Sequence, residues 1–154
     1  MKFCVTTFLL LCTTCLFAQK KQGQELIDSL IRELPTAKDD TNKVNLLNTL
    51  SFRCYGIKPD DGINFAEQAL KLSLHLEFKK GIANSYNNIG IYKEDQNDFA
   101  NALKYDSAAL KIREEINDKN GLAGSYGNIA TIYFDHSNFQ ILSPNSTVNP
   151  SPSQ

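Results

Sequence analysis

One segment of the sequence occurs twice, forty residues apart, and this repeat restricts the fold more than any other feature. Residues 79–99, KKGIANSYNNIGIYKEDQNDF, align with residues 119–139, KNGLAGSYGNIATIYFDHSNF, and nine of the 21 positions are identical. The identical positions recur with helical spacing. Because one short helical unit cannot bury its apolar face alone, successive units are expected to stack on one another.

The apolar periodicity predicts six helices. A leading helix runs from Gln24 to Leu34, where Pro35 should end or kink it. Two antiparallel helix pairs follow, at about residues 41–77 and 80–117, and an incomplete third unit covers residues 119–139. The sequence therefore predicts an all-α solenoid of antiparallel helix pairs over residues 24–139.

The two ends of the sequence differ from this repeat region. Residues 1–18, MKFCVTTFLLLCTTCLFA, carry one early positive charge and then an uncharged apolar run, which is typical of a secretory signal peptide cleaved after Ala18. A lipid anchor on Cys15 and an uncleaved membrane anchor are the alternatives. Residues 19–23 are predicted to be a polar linker, and residues 140–154, with three prolines, a disordered tail. The chain is therefore expected to be exported, to the periplasm or beyond, with contact to a membrane only through the export signal.

Cleavage at this site would leave Cys54 as the only cysteine. No intramolecular disulfide could then form. Cys54 lies in an apolar helical pattern, so we expect a buried, unreactive thiol.

The residues at matched positions of the repeats resemble the tetratricopeptide signature of an aromatic, an aliphatic and several small residues: Tyr86, Ile89, Gly90, Ala102 and Ala109, then Tyr126, Ile129, Ala130 and Tyr133. Lys93 stands where that family usually has tyrosine, and the period of forty, which armadillo-like and HEAT-like helix pairs also show, exceeds the usual thirty-four. The resemblance implies a right-handed superhelix whose first helices line a concave groove.

The leader and the long repeat period together resemble the extracytoplasmic amino-terminal region of bacterial tetratricopeptide signalling proteins. The resemblance implies a scaffold or signal-transduction context. The main hypothesis is a non-catalytic protein-binding module. The alternative is a truncated sensor segment of a histidine kinase or transcription regulator, without independent activity.

The sequence offers no pattern for chemistry. His75 and His136 lie on different predicted helices, and there is no HExxH, CxxC or glycine-rich phosphate loop. We therefore expect no catalytic residues, no cofactor and no metal. A net charge of −1 argues against nucleic acid as a partner. The remaining candidate partners are a protein or peptide, or a second copy of the chain bound through the apolar face of the last predicted helix.

The groove of the resembled fold gives eight candidate binding residues: Asn48, Phe52, Asn84, Asn87, Asn88, Ile91, Asn128 and Thr131. Asparagine amides both donate and accept hydrogen bonds, which suits a peptide or helix laid in the groove. Asn88 and Asn128 recur at one position of the repeat, so they could equally bond neighbouring helices. None of the eight is basic, and a peptide with a free acidic carboxyl terminus is therefore predicted to bind poorly.

Overall fold

A computed structural model describes residues 22–142, and within that range the chain is built from helices alone. Residues 22–33 form α1, and Leu34–Thr36, which contains Pro35, form a 3₁₀ turn. The remaining helices are α2 (Thr41–Cys54), α3 (Pro59–His75), α4 (Lys79–Asp95), α5 (Phe99–Glu115) and α6 (Lys119–Leu142). The predicted architecture of one leading helix, two pairs and half of a third pair is confirmed.

Three of the turns between helices share one geometry. Glu77, Asn97 and Asn117 stand twenty residues apart and have left-handed backbones, with φ of 52°, 58° and 54°. In each turn the N–H of the following residue donates to the carbonyl oxygen five positions earlier, at 2.8–2.9 Å. This is the Schellman arrangement, which ends a helix and satisfies its last carbonyl groups. The tight turns make consecutive helices antiparallel.

The helical segment extends further than predicted at both ends. Residues 22 and 23, assigned to the polar linker 19–23, already belong to α1. At the other end α6 continues to Leu142, beyond the predicted limit of 139. Ser137 occupies the repeat position of Asn97, but its hydroxyl donates to the Tyr133 carbonyl oxygen at 2.8 Å and the helix passes through without a turn. The predicted signal peptide, residues 19–21 and the tail from 143 to 154 lie outside the described residues.

The helices form two layers. The first helices of the units, α2, α4 and α6, pack against one another in sequence, while α3 lies against α2 and α4, and α5 against α4 and α6. The outer helices approach closely because two alanines on each, Ala66 and Ala69 on α3 and Ala102 and Ala109 on α5, are fully buried. The inner layer is thus one continuous surface made of three helices.

The leading helix closes the first pair. Ile27 of α1 is fully buried with Leu50 and Cys54 of α2, and Leu30, Ile31 and Leu34 pack around this cluster. The expectation that Cys54 is a buried free thiol is confirmed, and its burial raises the pKa of the thiol. Among residues 22–142, no helix is both long and apolar enough to cross a membrane.

Candidate functional site: a polar groove on the inner helices

The inner surface contains an open groove of about 440 Å³ that crosses α2, α4 and α6. Seven of the eight predicted binding residues line it: Asn48, Phe52, Asn84, Asn87, Asn88, Ile91 and Asn128. The eighth, Thr131, is exposed elsewhere on α6, and its hydroxyl donates to the Gly127 carbonyl oxygen at 3.1 Å. The structure therefore brings together residues that lie up to eighty positions apart in the chain.

Asn48 and Asn88 join neighbouring inner helices. The Asn88 amide nitrogen donates to the backbone oxygen of Asn48 at 3.0 Å and to its side-chain oxygen at 3.2 Å. The Ser85 hydroxyl donates to the same side-chain oxygen at 3.1 Å. Since Asn48 is 7% and Asn88 9% exposed, both amides serve mainly to hold α2 against α4. The sequence left open whether Asn88 contacts a ligand or bonds a neighbouring helix; in the structure it bonds a neighbouring helix.

Asn128, at the matched position of the next unit, instead links α6 to the outer helix α5. Its amide nitrogen donates to Asp106 Oδ1 at 3.4 Å, which is a long bond. Asp106 is fully buried, and its Oδ2 has no hydrogen-bond partner within residues 22–142. Burial raises the pKa of this carboxyl group to about 6, although the Asn128 hydrogen bond and the positive charge of Arg113 act in the opposite direction. A buried acid thus contacts Asn128, one of the residues that line the groove.

Arg113 is the residue of the groove that sequence reasoning missed. It comes from the outer helix α5, reaches between α4 and α6 to the groove, and is only 5% exposed. Its Nη1 donates to Asn87 Oδ1 at 2.8 Å, to the Gly121 carbonyl oxygen at 3.0 Å and to Ser125 Oγ at 2.6 Å. Its Nη2 donates to Asn84 Oδ1 at 3.2 Å. The sequence signal that could have identified Arg113 is its spacing: it follows Ala109 by four residues and so lies on the same buried face of α5.

These bonds correct the expectation of a groove without positive charge. Arg113 lines the groove from beneath, and Arg53, an exposed residue of α2, lines it as well. The eight predicted positions contain no basic residue, but they came from the first helices of the repeats and so could not include a side chain of α5. The argument against acidic ligands therefore loses its basis.

The remaining lining residues give the groove its chemical character. Asn45 and Thr49 on α2 are exposed polar residues. Phe52 leaves 61% of its surface exposed, and Ile91 on α4 is half-buried, so the groove also offers two apolar contacts. Such a surface can hydrogen-bond a polypeptide backbone and hold an apolar side chain.

The part of the chain that the structure describes contains no group of three or more His, Cys, Asp or Glu residues arranged to hold a metal ion. His75, on α3, is exposed, and the ring of His136, on α6, lies 5.3 Å from that of Phe99. The structure does not bring these two histidines together.

The outer face of α6 is a second surface with apolar groups. Tyr126, Tyr133 and Phe134 are 56%, 57% and 66% exposed. Tyr126 occupies the repeat position of Tyr86, whose ring packs 5.8 Å from that of Tyr105 on the next helix. At the position of Tyr126, the equivalent face of α4 is therefore covered by α5.

Two layers of antiparallel helices with a groove along the inner layer define a helix-pair repeat solenoid, a class that typically binds proteins without catalysing reactions. Residues 82–120, which span most of α4 and all of α5, match the family model described as tetratricopeptide repeat. The chain thus contains a segment similar to the tetratricopeptide repeat within a tetratricopeptide-like solenoid of helix pairs. No curated protein matches the sequence.

Proposed function

We infer that the chain is an exported peptide-binding module whose ligand lies in the groove formed by α2, α4 and α6. The observation that carries this inference is the convergence of seven candidate residues from three helices in one open cleft. Tetratricopeptide repeats generally mediate protein–protein contacts, and the groove offers side-chain donors beside the exposed ring of Phe52.

The groove suits an extended segment or a helix better than a small molecule. It is an open channel rather than an enclosed cavity, and its polar groups are spread over three helices. Amide side chains along such a channel can bond successive backbone groups of a peptide, while Phe52 and Ile91 contact its apolar side chains.

A peptide library tests this proposal. The full chain, immobilised, is used to select binders from a phage-displayed library of random 12-residue peptides, and the selected peptides are measured by fluorescence anisotropy. We expect Phe52→Ala to weaken binding about 10-fold or more, because exposed aromatic residues dominate binding energy at such surfaces. Leu74→Ala is the matched control, since Leu74 is 52% exposed on the outer helix α3. Equal losses for the two variants, or no selected peptide, would overturn the proposed groove.

Export is the second part of the proposal and is supported by residues 1–18. The chain is expressed in a bacterium with two membranes, and the protein in the periplasmic extract is weighed by mass spectrometry. We expect a chain that begins at Gln19, and a Leu10→Arg variant that keeps residues 1–18 and stays in the cytoplasm. A lipid-modified Cys15 would support the anchored alternative, and an uncleaved cytoplasmic wild type would exclude export.

A further inference from the structure

The first helix pair contains a second cavity, of about 280 Å³, where the start of α2 meets the end of α3. We call this cavity the corner pocket. Its lining from the two helices consists of Lys43 and Leu47 on α2 and Gln68, Lys71, Leu72 and His75 on α3. None of these residues lines the groove that crosses α2, α4 and α6. The corner pocket is therefore a separate site, and its ligand does not depend on the proposed peptide-binding function.

The corner pocket has an apolar floor and a basic rim. Leu47 is buried and Leu72 is half-buried, whereas Lys71 and His75 are exposed. Lys71 and His75 stand four residues apart on α3, so their side chains lie on the same face of that helix. A molecule on the apolar floor would thus have basic groups at one edge.

One positive charge of the rim is not compensated within the chain. Asp39 also lines the corner pocket, but its Oδ1 accepts a hydrogen bond from Lys43 Nζ at 2.7 Å, and these two charges neutralise each other. No carboxylate of residues 22–142 lies within ion-pair distance of Lys71. His75 adds a second positive charge when it is protonated. The rim therefore favours an anion.

The second helix pair shows what normally occupies this corner. The outer helices α3 and α5 align at an offset of forty residues. The inner helices α2 and α4 align at an offset of 39, which matches three buried residues of α2 with three of α4: Val44, Leu50 and Ser51 with Ala83, Ile89 and Gly90. At that offset Leu47 corresponds to Tyr86, whose ring packs 5.8 Å from the ring of Tyr105 on α5.

The second pair also has a carboxylate at this corner. Glu115 ends α5 as His75 ends α3, and its Oε2 forms an ion pair with Nζ of Lys79, the first residue of α4, at 3.0 Å. The second pair therefore places an aromatic ring and a carboxylate where the first pair has Leu47 and His75. The first pair lacks both groups, and its corner is open.

We propose that the corner pocket binds a small aromatic carboxylate, whose ring lies on Leu47 and Leu72 and whose carboxylate pairs with Lys71 Nζ. Such a molecule supplies the two groups that the second helix pair provides from its own chain. A volume of about 280 Å³ is slightly below the usual range for drug-sized ligands and suits one ring with a short acidic arm. The open rim lets such a ligand enter from solution.

A titration of the full, ¹⁵N-labelled chain with phenylacetate, followed by ¹H–¹⁵N NMR spectra, tests this proposal. We expect shifts at the backbone amides of the corner pocket and a Kd of about 1 mM or tighter, as for a ligand of this size. The neutral analogue 2-phenylethanol should bind about 3-fold more weakly or worse at low salt, because it lacks the charge that pairs with Lys71. No binding, shifts confined to the groove, or equal affinities for the two probes would overturn the proposal.

A matched pair of variants tests the role of Lys71. Lys71→Gln should weaken phenylacetate binding about 3-fold or more and leave 2-phenylethanol binding unchanged, since only the charge is removed. Lys111→Gln is the control, because Lys111 is exposed at the same position of α5. Equal affinities of the Lys71→Gln variant and the wild type for phenylacetate would overturn the pairing with Lys71.

Two further variants copy the second helix pair. Leu47→Tyr supplies the ring of Tyr86 and should remove detectable binding, with a circular dichroism melt as the check of folding. His75→Glu supplies the carboxylate of Glu115 at an exposed position, so it should keep the fold and weaken phenylacetate binding about 3-fold or more by charge repulsion. A His75→Glu variant, or a folded Leu47→Tyr variant, that binds phenylacetate as tightly as the wild type would overturn the proposed site.

Discussion

Replacing Asp106 with asparagine tests whether a buried carboxylate limits the stability of the solenoid. Asp106 is fully buried, its Oδ2 has no partner among residues 22–142, and burial raises its pKa from 3.8 to about 6. Because the folded state binds this proton more tightly than the unfolded state, stability falls as the pH rises from about 4 to about 6. Above about pH 6 the ionised Asp106 lowers the free energy of unfolding by its full amount.

The magnitude follows from the two pKa values. A rise from 3.8 to about 6 corresponds to ~3 kcal/mol at 1.36 kcal/mol for each pH unit. Asparagine keeps the shape and the Oδ1 acceptor for Asn128 but cannot ionise. Its amide nitrogen carries two hydrogens where the protonated carboxyl group carries one, and neither has a partner at this site, so the variant should be about 1 kcal/mol less stable than the wild type at pH 4. At pH 8 we expect Asp106→Asn to be about 2–3 kcal/mol more stable than the wild type.

Urea unfolding followed by circular dichroism at pH 4, 6 and 8 measures this difference. Glu67→Gln is the control, because it removes one negative charge from an exposed position of α3. The variant should also lower the raised pKa of Glu94, which the negative charge of Asp106 increases. A stability difference that does not change with pH, or a variant less stable than the wild type at pH 8, would refute the argument from charge burial.

Three further predictions concern packing, ionisation and association. Gly62→Ala should destabilise the fold by about 1–3 kcal/mol in urea unfolding, since the added methyl group would overlap the hydroxyl of Tyr92. The double variant with Tyr92→Phe should recover part of that loss, whereas additive losses would contradict the overlap. Glu94→Gln should raise the melting temperature at pH 8 but not at pH 5. Burial and the negative charge of Asp135 raise the pKa of Glu94 to about 7, so the ionisation of Glu94 between about pH 4.5 and 7 lowers the stability of the fold. An equal effect at both pH values would contradict this. If α6 mediates self-association, Phe134→Ser should lower the molar mass from light scattering at high concentration, and a monomeric wild type would exclude it.

Much of the fold could be predicted because its signals are local. Apolar residues at spacings of three and four define each helix, and Pro35 interrupts α1 where the sequence places it. The repeat of forty residues sets the pairing, since identical units stack in the same way. Seven groove residues followed from the resemblance to the tetratricopeptide fold, which implies that the first helices line the groove, and from the repeat, because equivalent positions of stacked units face the same side.

The length of α6 was not predicted. Phe139 matches Phe99, which begins α5, and the predicted third unit ended at residue 139. In the structure the ring of Phe139 instead packs 5.8 Å from that of Phe99, and α6 continues past Ser137. The segment of α6 that matches the turn before α5 is therefore helical, and its end packs on the start of α5.

The sequence by itself determined the helices, their order, the repeat and the burial of Cys54, because these depend on spacing within one segment. Only the tertiary structure decided the electrostatics of the groove. Arg113 meets Asn84 and Asn87 across 29 and 26 residues, and Asp106 meets Asn128 across 22. The physical reason is that a charge is favourable or costly according to its neighbours and its access to water, and both are set by helices that pack together from distant parts of the chain.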